Sequence, residues 1–277
     1  MGRLQASEPF EVVGLDILTS LPTTQSGNKH LLVVVDFFTK WAEAFPLKDL
    51  SAASVAQVFV DQFVSRFGCP IRVHSDQGGC FVSEVLELTC KRLGIEKSTI
   101  SSAHPSGNGI VERTIRTVIS MLAKSLDDDA HNCWDEHIPM LMLAYRVQAS
   151  KTTGFSPYKL LLAREPKLPA EIELEIPASK GRANSTVEYF DRLRESLSQF
   201  HEIARRRSNA RHSTNKRAYD QRLNELSYEV GEKVLLHRAV VPKGQYYKFL
   251  RPYGELLCSK NWEQSTTASG RRDLAKR

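Results

Sequence analysis

The chain has 277 residues, of which 41% are hydrophobic, and carries a formal net charge of +6 at pH 7. Domains usually run to about 100–200 residues, so this length predicts one good core and a smaller module. No apolar run reaches the ~18 residues that a membrane span needs, which excludes a membrane protein at this stage. The five cysteines form no Cys-x-x-Cys pair, and we expect reduced thiols in an intracellular protein.

The first hundred residues predict a mixed α/β arrangement. The predicted strands cover residues 10–18, 31–35, 41–45, 71–75 and 95–99, and the predicted helices cover 51–67 and 82–93. The first three strands are separated by short turns and predict an antiparallel meander. Helices that alternate with strands after such a meander indicate a mixed sheet with helices on its faces.

The second half of the chain is mainly helical. Further helices are predicted over residues 108–126, 132–147, 156–162 and 186–222, followed by a strand over 230–238. Pro166, Pro169 and Pro177 indicate a linker before the longest helix. The polar residues after 260 predict a disordered tail.

Positive charge is concentrated in the longest predicted helix. Residues 181–222 contain ten Lys or Arg and five Asp or Glu, a surplus of five out of the total of +6. Residues 205–217 contain six basic residues and no acidic one. Such a run is usually a solvated helix face, but a local surplus of this kind also suits an anionic partner such as DNA.

Three acidic residues stand at the ends of predicted elements. Asp16 lies in the first strand, Asp76 directly follows the fourth, and Glu112 stands near the start of a helix, with thirty-five residues between Asp76 and Glu112. Singly, each would be interpreted as a cap or a solvated side chain. Together they offer the hard oxygen ligands that suit Mg²⁺ or Mn²⁺. Two such ions can activate an attacking oxygen and neutralise a leaving one in phosphoryl chemistry.

The sequence motifs around these acidic residues resemble those of a known family. They are Gly14-Leu-Asp16-Ile, His74-Ser-Asp76-Gln-Gly, His104-Pro-Ser-Gly-Asn-Gly-Ile-Val-Glu112-Arg and Lys151-Thr-Thr-Gly-Phe-Ser-Pro-Tyr. They are similar to the catalytic core of retroviral-type integrases, in particular those of gypsy-like long-terminal-repeat retrotransposons. The resemblance implies a ribonuclease H-like fold with a mixed five-stranded sheet flanked by helices, followed by a basic helical segment and a partial small β-barrel.

The resemblance also implies an activity. It is that of a DNA integrase, a polynucleotidyl transferase that processes 3′ ends and transfers strands into target DNA. Asp16, Asp76 and Glu112 would be the catalytic and metal-binding residues for two Mg²⁺ or Mn²⁺ ions. Double-stranded DNA, from element ends and from the target, would be the partner of a homo-oligomer, with the nucleus as the expected location. No zinc site is predicted in this chain.

The expected organisation divides the chain into five parts. They are a catalytic core over 8–168, a linker over 169–182, a basic helical segment over 183–224, a partial β-barrel over 228–258 and a disordered tail over 259–277. Candidate DNA contacts are basic residues of the core and of the helical segment, each of which could equally be ordinary surface charge. They are Lys40, Arg113, Arg116, Lys151, Arg205, Arg206, Arg207, Arg211, Lys216 and Arg217.

Several positions depart from the family pattern. Ser106 stands where a Gln is common, Ile115 where an Asn is common, and Cys80 where an acid or amide is common. These departures and the incomplete barrel keep two alternatives open. One is a catalytically degenerate, domesticated DNA-binding or interaction protein that retains the fold, and the other is a metal-dependent nuclease without strand transfer.

Overall fold

A computed structural model describes most of the chain. The described residues are 6–99, 109–126, 132–168, 185–222, 233–237, 253–257 and 274–275. The chain divides into two compact units, one of residues 4–215 and one of residues 216–277 with residues 1–3. The predicted linker over 169–182 lies outside the described residues.

The larger unit is built around a five-stranded sheet. Its strands are β1 (Val12–Leu18), β2 (His30–Asp36), β3 (Ala42–Leu47), β4 (Arg72–Ser75) and β5 (Glu96–Thr99). They lie in the order β3-β2-β1-β4-β5, with β1, β2 and β3 antiparallel and with β4 and β5 parallel to β1. The predicted meander and the mixed five-stranded sheet are confirmed.

Helices cover both faces of this sheet. The described helical segments of the chain are α1 (Ala52–Val58), the π-helical turn π1 (Phe59–Val64), α2 (Ser65–Phe67), α3 (Glu84–Arg92), α4 (Gly109–Ser125), α5 (Trp134–Val147), α6 (Pro157–Leu162) and α7 (Thr186–Arg222). The side chain of Ser51 accepts a hydrogen bond from the Ser54 N–H, so the predicted cap of α1 is confirmed. In the described residues, no helix has both the length and the apolar character that crossing a bilayer requires.

Two apolar cores form because the side chains of β1 alternate between the faces of the sheet. Val13 and Leu15 belong to the core under α1, π1 and α3. Val12 belongs to the core that α4 and α5 cover. Even-numbered positions of β1 therefore face α4, and this alternation places Asp16 on the α4 side of the sheet.

A largely buried ion pair joins β3 to α5. The side chains of Arg146 and Glu43 form a salt bridge and are only 15% and 10% exposed. Glu43 also accepts a hydrogen bond of 2.9 Å from the Trp41 indole N–H. The Arg146 guanidinium lies 4.7 Å from the centre of the Trp41 ring. Removing the arginine would leave the Glu43 charge buried beside a single donor.

We expect Arg146→Ala to lower the free energy of unfolding by about 2 kcal/mol, below the full range for buried pairs because both partners retain some exposure. Urea unfolding at pH 7 measures this change. The matched control is Glu96→Ala, which breaks the Arg72–Glu96 pair on the surface, where Glu96 is 59% exposed. Equal losses in the two variants would contradict the importance of burial at Arg146.

The smaller unit contains a three-stranded antiparallel sheet. Its strands are β6 (Lys233–His237), β7 (Tyr253–Leu257) and β8 (Leu274–Ala275), in the order β7-β6-β8. β8 belongs to the stretch 259–277 that the sequence predicts as a disordered tail, so at least these two residues pair in a sheet. The rest of that stretch lies outside the described residues.

Candidate active site

Asp16 and Asp76 are placed side by side by strand pairing. β1 and β4 are parallel, with Leu15 opposite Ser75, and the two aspartates are the next residue on each strand path. Asp16 is half-buried, and its Oδ1 accepts a hydrogen bond of 2.8 Å from the Ile17 N–H. Asp76 is exposed. Two aspartates that are distant in sequence are thus neighbours toward the carboxyl ends of two inner strands.

The turn after β4 holds the Asp76 carboxylate. Its Oδ1 accepts a hydrogen bond of 2.9 Å from the Gly78 N–H. The Gly78 carbonyl in turn accepts hydrogen bonds from the N–H groups of Phe81, at 2.8 Å, and Val82, at 3.1 Å. Phe81 is buried in the core under α1 and α3, so this turn is anchored on the sheet.

Glu112 is brought to these aspartates by a close approach of α4 to β1. A Cβ placed on Gly14 would lie 2.3 Å from Val111 Cγ2 and 2.6 Å from Phe37 Cε1. Val111 is fully buried against the sheet, and Glu112, the next residue, is exposed in the first turn of α4. Only glycine at position 14 leaves room for this packing, which sets how near α4 lies to Asp16.

Gly14 is a positioning residue that the sequence reasoning missed. It was part of the motif that carries the family resemblance, but no role was predicted for it. The available signal was a glycine in a strand whose neighbours Val12, Val13 and Leu15 are apolar, because such a glycine often marks a close backbone approach.

The three carboxylates influence one another. Burial raises the pKa of Asp16 from 3.8 to about 6. The hydrogen bond from Ile17 opposes this rise, and the negative charges of Asp76 and Glu112 add to it. A half-buried carboxylate with two acidic neighbours is a site where a cation would relieve repulsion.

The carboxylates of Asp16, Asp76 and Glu112 are close enough to influence one another, but in the described part of the chain they do not form a complete metal site. Within the described ranges, no three His, Cys, Asp or Glu side chains form a group that could hold a metal ion. Residues 100–108, which directly precede α4, lie outside the described residues. The predicted binding of two ions by Asp16, Asp76 and Glu112 stays a prediction.

Cys80 borders the acidic residues. Burial raises the pKa of its thiol, and the negative charges of Asp76 and Asp16 raise it further. In the sequence, Cys80 is a departure from the family pattern. Its position beside the aspartates shows that this departure falls at the site itself.

The predicted DNA contacts occupy different environments. Arg113, Arg116 and Lys151 are exposed, whereas Lys40 is half-buried and its ammonium donates to the Phe37 carbonyl. In α7, the exposed candidates are Arg206, Arg207, Arg211, Lys216 and Arg217, while Arg205 is half-buried. Arg205 and Arg207 both contact the core. DNA binding by these residues stays a prediction.

Comparison with known proteins supports the resemblance. Residues 6–105 match the family model described as "Integrase core domain". This part of the chain is therefore similar to an integrase core domain. The chain is 26% identical over 244 residues to the retrovirus-related Pol polyprotein from transposon 412 of Drosophila melanogaster, which covers 88% of this chain and 19% of that polyprotein. It thus spans about a fifth of that relative's length.

Two further similarities extend beyond the matched domain. Gypsy retrotransposon integrase-like protein 1 of Bos taurus is 27% identical over 171 residues, which cover 62% of this chain and 34% of that protein. The cryo-EM structure of a simian T-cell lymphotropic virus intasome, in complex with PP2A regulatory subunit B56 gamma, aligns with a TM-score of 0.52. That alignment is 20% identical and covers 67% of this chain and 63% of the other. The ribonuclease H-like fold of the integrase core is confirmed.

Proposed function

We propose that this protein is a metal-dependent DNA integrase, a polynucleotidyl transferase that trims 3′ ends and joins them to target DNA. The observation that supports the proposal is the electrostatic influence of Asp76 and Glu112 on Asp16, whose pKa is raised to about 6 by burial and by these two acidic neighbours from separate elements. A structural role for one carboxylate would not require two more beside it.

The donor set fits Mg²⁺ or Mn²⁺, because the site offers carboxylate oxygens and these ions favour oxygen ligands. Asp16 and Asp76 would hold one ion jointly, and Glu112 would complete a second site with one of the aspartates. When bound, such ions would lower the pKa of an attacking hydroxyl or water and neutralise charge on the phosphodiester.

Other residues of the chain position the three carboxylates. The parallel pairing of β1 with β4 fixes the two aspartates relative to each other, and Gly14 lets α4 hold Glu112 close to them. The Gly78 N–H orients the Asp76 carboxylate. Positioning and charge neutralisation account for most of the catalysis of phosphoryl transfer. No protein nucleophile is required.

The proposed substrate is double-stranded DNA, both as element ends and as target. The support is the exposed basic surface of α7, together with the overall charge of +6. Contacts of this kind would be sensitive to salt, because each neutralised phosphate releases counterions. We further propose that the protein acts as a homo-oligomer in the nucleus, as the family resemblance implies.

The test is a strand-transfer assay. It measures whether the purified chain joins a short duplex with processed 3′ ends to target DNA in the presence of Mg²⁺, of Mn²⁺ or of a chelator. Asp76→Asn and Glu112→Gln are assayed beside it. We expect joining that needs metal and that both substitutions abolish. Nicking without joining would support the nuclease alternative. DNA binding without nicking or joining, unchanged by either substitution, would support the non-catalytic alternative.

A further inference from the structure

The middle of α7 packs on the integrase core. Ala204 is only 1% exposed, and the Phe200 ring lies 5.3 Å from the ring of Phe155. The His201 Nε2 lies 2.8 Å from the Leu160 carbonyl oxygen, so this nitrogen carries the proton and donates. The His201 ring meets Phe38 edge to face, with centres 5.0 Å apart. We call residues 200–207, with their partners on the core, the dock.

Two arginines of the basic run belong to the dock. The Arg205 Nε donates to the Ser7 carbonyl at 3.0 Å, and its guanidinium lies 5.5 Å from the centre of the Phe38 ring. The Arg207 guanidinium lies 5.4 Å from the centre of the Phe155 ring and donates to the Thr153 carbonyl at 3.4 Å. Each arginine therefore contacts one backbone carbonyl and one aromatic ring of the core.

The absence of a side chain at Gly154 leaves the space that the Arg207 guanidinium occupies. A Cβ at this position would lie 1.8 Å from the Arg207 terminal nitrogen and 2.8 Å from its Cζ. Gly154 also has φ of +77°, where residues with a side chain are strained. Any side chain here would occupy the space of the guanidinium, so the core is shaped to accept an arginine from α7.

Arg206 lies between these two arginines in sequence but faces elsewhere. Successive helical residues differ by about 100° around the axis, so the two neighbours of Arg206 can both reach the core while Arg206 does not. Its side chain is 77% exposed, and its Nε contacts Glu202 of the same helix at 2.7 Å. Arg206 thus lies on the solvent side of α7, in an exposed ion pair with Glu202.

We propose that the basic run of α7 is divided between two roles. Arg205 and Arg207 hold the helix on the integrase core, with Gly154 as the receiving position, and Arg206 contacts phosphates of the DNA. Arg207 is then a positioning residue, because it fixes the DNA-contacting face of α7 relative to Asp16 and Asp76. The DNA part of this proposal rests on the proposed function, whereas the dock does not.

Adjacent arginines offer a matched comparison. The first measurement is affinity of the full chain for a short duplex at several salt concentrations, and the second is amide hydrogen exchange of peptides covering residues 150–162. Arg206→Ala should lower DNA affinity about threefold and reduce the salt slope by about one, with exchange unchanged. Arg207→Ala should raise exchange about tenfold and change the DNA affinity less than Arg206→Ala does. It should also reduce the joining per bound duplex.

Two further variants separate charge from docking. Arg207→Lys keeps the charge but loses the planar guanidinium, so it should raise exchange as Arg207→Ala does. Gly154→Ala displaces the guanidinium without changing any charge and should raise exchange in the same way. Its control is Gly27→Ala, because Gly27 has a similar φ of +84° and nothing within 4 Å of a built Cβ. Exchange of peptides around position 27 should rise less in this control than exchange of residues 150–162 rises in Gly154→Ala.

Two results would overturn the proposal. Equal losses of DNA affinity in Arg206→Ala and Arg207→Ala, with affinity restored in Arg207→Lys and exchange unchanged, would make Arg207 a DNA contact. Exchange in Gly154→Ala equal to that in Gly27→Ala would show that the guanidinium does not hold α7. If the unmodified chain neither binds nor joins DNA, the proposed function fails, and the exchange comparison still decides whether the dock exists.

Discussion

Replacing Asp16 by Asn should reduce metal-dependent joining by about 10³-fold or more, because under the proposed function the variant loses a charged ligand of the catalytic ions. The same change should stabilise the metal-free protein above pH 6. The pKa of Asp16 is raised from 3.8 to about 6 in the folded chain, by burial first and then by Asp76 and Glu112. A carboxylate with a raised pKa opposes folding once it is ionised.

The pH dependence follows from this sign. Below about pH 4 Asp16 is neutral in both states and costs nothing; between pH 4 and 6 the unfolded chain ionises first, and the folded state loses stability. Above pH 6 the full loss is present. Discounted for solvent screening, the gain in Asp16→Asn at pH 7.5 should be about 1–2 kcal/mol.

Urea unfolding from pH 4 to pH 8, with and without Mg²⁺ or Mn²⁺, measures both effects. Metal should stabilise the unmodified chain at pH 7.5 and much less at pH 5, where protons compete for Asp16. The variant should lose most of that stabilisation. Asp61→Asn, which removes an exposed carboxylate outside the site, is the control and should keep the unmodified profile. A metal effect that survives in Asp16→Asn would remove this residue from the proposed site.

The sheet could be predicted because its signals are local, whereas the acidic triad stays a prediction as a metal site. Asp16 lies in an apolar strand and Asp76 directly follows one, and the change from a period of two to a helical period at Ser51 indicates the fold class. Strand pairing then brings Asp16 and Asp76 together without any further information. The meander predicted that β1, β2 and β3 are neighbours, but the sequence alone did not predict the full strand order β3-β2-β1-β4-β5.

The dock and the contact partners of Gly14 could not be predicted because they depend on long-range contacts. Nothing near Arg207 in sequence indicates that Gly154 leaves room for it, and the charge run from 205 to 217 has the composition of a uniform DNA-binding face. The structure shows that neighbouring arginines in that run have different partners. Likewise, the sequence gives no sign that Gly14 meets Val111, which lies in another element.

Gly14→Ala should lower the free energy of unfolding by about 3 kcal/mol, the upper end for overpacking, because the added methyl would meet Val111 Cγ2 at 2.3 Å and Phe37 Cε1 at 2.6 Å. Neither atom is the end of a flexible chain, so α4 itself must move away from β1. Glu112 then moves with it. We therefore expect joining to fall by at least tenfold in protein that remains folded, with DNA affinity little changed.

A double-mutant cycle with Val111→Ala tests this mechanism. Removing the Val111 methyl groups makes room for the new methyl, so the double variant should be more stable than the sum of the two single changes predicts, and joining should recover in part. Gly79→Ala is the control, because a Cβ there meets nothing within 4 Å although Gly79 lies three residues from Asp76. Strictly additive losses would show that Gly14 does not set the distance of α4. In that case the placement of Glu112 beside Asp16 would have to depend on other contacts of the helix.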